Sequence, residues 1–155
     1  MRIQDYMNLL YSDSFHPLKS TIYSSFVFFH NVLVTFMYDN DVYAFLFGCL
    51  FLTSLIVHTN YNIYTNILDK MAIIAVVVYG GYVFFQKCLL NEFANLQQYI
   101  LVLLIVMSFL ATIFLYVYGF YYNKYCFTEN KDVANAYHSL LHLISSFGHH
   151  MIVIL

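Results

Sequence analysis

Residues 54–70 read SLIVHTNYNIYTNILDK. The stretch leaves one apolar run, crosses a polar interval and ends at the start of the next run. A helix inside a bilayer must stay apolar, because unpaired polar groups in hydrocarbon are costly. The interval therefore marks a membrane face, and the runs on either side are spans. Ser54 and His58 stand four residues apart, so a helix places them on one face, one turn from each other. Asp69 follows at the opening of the next run.

Working outward, the 155 residues are 62% hydrophobic and only 9% charged, with mean hydropathy +0.70. Soluble domains carry roughly 25% charged residues. The pattern predicts an all-α fold, a polytopic membrane helix bundle in one domain over residues 1–155. Spans are expected at about 21–38, 42–58, 68–85, 98–121 and 133–155, with residues 1–20 as a surface segment. Gly80 and Gly81 mark a kink or close packing in the third span. The N-terminus does not read as a signal peptide. The net charge of −2 argues against nucleic acid as a partner. Cys49, Cys88 and Cys126 are too scattered for a disulfide framework or a zinc-type cysteine motif.

Five spans alternate sides. Arg2, Lys19, Lys70, Lys124 and Lys131 then share one face, and Lys87 lies on the other. The positive-inside rule makes the lysine-rich face cytoplasmic, with the C-terminus opposite.

That face also collects the polar groups. Its second contingent is YHSLLHLISSFGHH, in which His138 and His142 stand four apart early in the fifth span. The second span ends where the fifth begins, so His58, His138, His142, Ser54 and Asp69 are expected at similar depth. Three imidazoles suit a zinc ion and leave a fourth position open for water, which the metal would acidify. A carboxylate such as Asp69 can hold that water and take its proton, and a hydroxyl such as Ser54 can stabilise an oxyanion. Any one membrane histidine alone would more simply be an interhelical hydrogen bond.

The other histidines read differently. His30 and Asp41 repeat the His58–Asp69 spacing, but Phe26 stands where a serine would be needed and Asp41 falls on the opposite face. His30 is therefore expected to be buried mid-helix, structural or cavity-lining, with Asp39 and Asp41 as solvated turn residues. His149 shares the face of His142 but lies about 10 Å along the axis, too far to be a ligand. His16 reads as a surface residue before Pro17.

S-x3-H-x10-D followed by HxxxH in the last span resembles the CREST superfamily of membrane hydrolases. That group includes alkaline ceramidases, GPI-anchor lipid-remodelling proteins, progestin and adiponectin receptors, and the myomaker group. The resemblance covers roughly Ser54 to Gly148. It implies zinc held by His58, His138 and His142, with Asp69 and Ser54 at the catalytic positions. It also implies hydrolysis of a lipid amide or ester by a zinc-bound water, with a membrane lipid as substrate. The family has seven helices and this chain has room for five, a shortened version lacking part of the cavity wall. Two further readings stand beside the hydrolase: a zinc-containing receptor or fusion factor, and a metal-free membrane scaffold.

Overall fold

The computed structural model describes residues 19–90 and 95–155. Most of the expected surface segment, with Arg2, His16 and Pro17, lies outside the described residues. Five long helices and no strand occur among those described: α1 (Lys19–Met37), α2 (Asp41–Thr59), α3 (Ile63–Leu90), α4 (Leu96–Ile113) and α5 (Lys131–Ile154). A π-helical turn (Phe114–Tyr118) and a last helical turn (Gly119–Tyr122) prolong α4. Thr112 Oγ1 donates to the carbonyl of Ser108 just before that turn, a back-bond that bends helices. The fold is an all-α bundle.

Side-chain caps set the boundaries. Asp39 takes a left-handed φ of 56° in the tight turn, and Asn40 caps α2 by accepting from the Tyr43 amide. Asn62 accepts from the amides of Tyr64 and Thr65, so α3 begins at Ile63, five residues before the expected start. Asp69 is consequently nearly two turns into α3 rather than at its opening. Asn130 caps α5 in the same way, and His138 sits about two turns in, where one was expected.

α1, α2, α3 and the prolonged α4 are long and apolar enough to cross a membrane. The fifth expected span, α5, does not meet that standard of composition among the described helices, although its 24 residues give a length of about 36 Å. Its histidines and serines lower its hydropathy, and several of them point inward. α5 packs between α1 and α4.

The helices form an open arc in the order α3–α2–α1–α5–α4. α3 meets α5 across the arc, but no Cα of α3 comes within 8 Å of α4, and none of α2 within 8 Å of α5. α1 at the centre is built inside out. Thr21, Ser24, Ser25, Asn31 and Thr35 are buried, whereas Tyr23, Phe26, Phe29, Leu33 and Phe36 are exposed. This suits a lipid-facing helix whose inward hydroxyls and amides bind neighbours. Asn31 Nδ2, for example, donates to Ser146 Oγ of α5 at 2.9 Å.

His30 is exposed on α1, not buried as expected, and stacks on His150 with centroids 5.6 Å apart. Its neighbours Asn31 and Thr35 take the inward face instead. Asp39 and Asp41 are exposed, as the sequence implies.

Gly80 and Gly81 play different roles, and α3 runs through both without a break. A Cβ on Gly80 would collide with the Tyr43 hydroxyl and the His149 ring, which are bonded to each other, whereas a Cβ on Gly81 meets open space. Gly80→Leu is expected to cost about 1–3 kcal/mol of stability through overpacking, and Gly81→Leu close to nothing. Melting temperatures of the two variants in detergent check this; equal losses would contradict the packing.

Candidate metal centre

The gap between α2 and α5 is filled by rings. His58 comes from the last turn of α2, and His138 and His142 from successive turns of α5. The ring centroids lie 5.0 Å (His58–His138), 5.4 Å (His58–His142) and 4.8 Å (His138–His142) apart. One nitrogen from each ring falls within 4.8 Å of the others. His142 is buried and the other two are half-buried.

Tetrahedral coordination with metal–nitrogen bonds of about 2.0–2.1 Å places donor nitrogens about 3.4 Å apart. Small ring rotations close the remaining distance. The donors also lack other employment: neither His58 nor His138 hydrogen-bonds to any described residue. The three residues thus form a group able to hold a metal ion.

His142 is oriented from behind by a residue the sequence reading passed over. Ser24 Oγ lies 2.9 Å from His142 Nδ1 and 3.1 Å from the Thr21 carbonyl oxygen. The hydroxyl has one proton, which the carbonyl takes. Ser24 therefore accepts from Nδ1–H, and the His142 lone pair is left on Nε2. A hydrogen bond of this kind fixes tautomer and ring angle at metal-ligating histidines. The available signal was SS at 24–25 within an apolar span. Its partner, however, lies 118 residues away.

Ser54 is fully buried one turn below His58. Its Oγ lies 2.8 Å from Ser25 Oγ, and Ser25 Oγ donates to the Thr21 carbonyl at 2.8 Å. With the Ser25 proton committed, Ser54 donates to Ser25. Its own proton thus points toward α1.

Asp69 is buried in the α2–α3 seam. Thr53 Oγ1 donates to its Oδ1 at a long 3.4 Å, and the Lys70 ammonium stands 3.9 Å from Oδ2. Among the described residues no direct hydrogen bond joins Asp69 to the three imidazoles. Thr53 places the carboxylate about one and a half turns below His58 along α2.

His149 is tied into a different cluster. Its Nδ1 meets the Tyr43 hydroxyl, and its ring packs edge-on to Phe47 at 5.4 Å.

No protein-family model, curated protein or solved structure matches this chain.

Removing the support behind His142 should loosen the metal without unfolding the helix. Ser24→Ala is expected to weaken the affinity for an added divalent metal probe 10- to 100-fold, as outer-shell losses do. Competition with a chromogenic chelator measures this; wild-type affinity would refute the orienting role.

Proposed function

We propose that the protein is a zinc-dependent intramembrane lipid hydrolase that cuts an amide or ester bond. The observation that carries the reading is the meeting of three imidazoles from two helices, two of them without a ring hydrogen bond to any described residue, with a buried carboxylate on the neighbouring α3. The likeness of the two motif segments to the CREST superfamily supports it. Zinc is the favoured ion because an all-imidazole set suits its borderline softness and tetrahedral preference.

A zinc ion at such a site would act as a Lewis acid and bring the pKa of a coordinated water toward neutrality. Asp69 then has the role of general base. Its carboxylate would take the proton of the attacking water and deliver it to the departing amine or alkoxide once the side chain, held by Thr53 about one and a half turns below His58, swings up to the imidazoles. The apolar surroundings strengthen each of these interactions. Ser54 can serve the developing oxyanion only by turning its proton away from Ser25. Three imidazoles must be neutral to act as ligands, so metal affinity falls as pH drops and protons compete.

The excess of Lys70, Lys124 and Lys131 at the site end, with Lys87 at the other, supports a cytoplasmic placement of the centre. Substrate would come sideways from the bilayer, through the side of the arc where α3 and α4 stand apart.

Purified protein is expected to carry about one zinc per chain and to release fatty acid from at least one class in a panel of ceramides and diacyl phospholipids. Asp69→Asn should keep the metal and lower turnover by about 10²-fold or more. A protein that holds zinc but cuts no lipid would point to a receptor or fusion factor. A protein with no metal would leave only the scaffold.

A further inference from the structure

Lys70 is a cation beside Asp69, and no described residue takes a hydrogen bond from its ammonium. Its ammonium stands over the Tyr116 ring of the π-helical turn, 5.4 Å from the centroid. The side chain thus spans the opening between α3 and the prolonged α4. Two attractions hold it there, the ring and the Asp69 carboxylate. At 3.9 Å, however, the carboxylate contact exceeds hydrogen-bonding distance. Among the described residues Lys70 makes no hydrogen bond, and its side chain keeps 34% of its exposure.

Lys87 provides the contrast. That ammonium donates at 2.6 Å to the Val153 carbonyl, which ties α3 to the end of α5. Lys87 is employed by the fold, whereas no described residue takes the three N–H donors of Lys70.

The surroundings narrow the choice. Ile67, Ile74 and Val77 share the α3 face of Lys70 at helical spacing, and all are exposed. An ammonium beside such a stripe fits an amphiphile: an anionic head at Lys70 and acyl chain along the stripe. An ammonium with free donors binds phosphate as a point charge.

We propose that Lys70 is a headgroup-recognition residue that selects phosphate-bearing lipids at the opening between α3 and α4. This deepens the hydrolase reading by naming its substrate class: a phospholipid in preference to a neutral ceramide or diacylglycerol. Phosphate chemistry alone would also allow free phosphate, but the flanking apolar stripe favours the lipid.

The test separates recognition from catalysis by using ether-linked lipids, which carry no bond to cut. Binding of short-chain diether phosphatidic acid, the matching diether glycerol and inorganic phosphate is measured on the intact protein in neutral detergent. The phosphatidic acid is expected to bind roughly tenfold or more tightly than the neutral diether, the worth of one charge-assisted contact. Lys70→Gln should abolish that preference and Lys70→Arg retain it, both with wild-type zinc content and melting temperature. Equal binding of the two diethers, or a preference that survives Lys70→Gln, would overturn the proposal. Inorganic phosphate binding as tightly as the phosphatidic acid would overturn the assignment to lipid. Loss of all hydrolysis with the preference intact would strike the hydrolase reading alone.

Discussion

A neutral imidazole inside a bilayer needs a partner for its lone pair and for its N–H, and the hydrocarbon offers neither. The architecture around α5 follows from that requirement. α5 carries four histidines too polar to face lipid comfortably, and the bundle answers two of them with a hydrogen bond from a different helix. Ser24 of α1 takes His142 and Tyr43 of α2 takes His149, whereas His30 of α1 only stacks on His150, whose buried Nδ1 has no partner among the described residues. Among the described residues the ring contacts of His138 are to His58 and His142. A metal ion would complete this set.

The same requirement explains why α1 sits at the centre of the arc. Its buried hydroxyls and amide supply the bonds that α2 and α5 would otherwise lack. The link from Ser54 through Ser25 to the Thr21 carbonyl holds α2 at one side, and the link from His142 through Ser24 to the same carbonyl holds α5 at the other. α2 and α5 thus hold their spacing across a gap their backbones do not bridge. Imidazoles project into that gap. Polar contacts on α1 therefore do more than glue helices: they set the separation at which three nitrogens can share one ion.

The sequence revealed the helices and the three donors, because both signals are local. Apolar runs of span length and two histidines at i, i+4 survive without knowledge of the tertiary structure. His58 could be grouped with them because alternation of sides brings the end of α2 to the start of α5. Long-range polar pairing was harder to see. Ser24 and Ser25 read as neutral residues of an apolar span until α5 is placed beside them. His30 reads as buried from its place in mid-helix, yet Asn31 and Thr35 occupy the buried face. Helix starts slipped where an asparagine cap, Asn62 or Asn130, recruits polar residues that otherwise read as loop. The π-helical turn that carries Tyr116 to Lys70 has no visible mark in the sequence.

X-ray absorption at the zinc edge of the purified protein addresses the central claim most directly. The account predicts a first shell of three imidazole nitrogens at about 2.0–2.1 Å with one oxygen, and one imidazole fewer in His142→Ala. A shell containing sulfur, a six-oxygen shell, or an imidazole count unchanged by the substitution would contradict it.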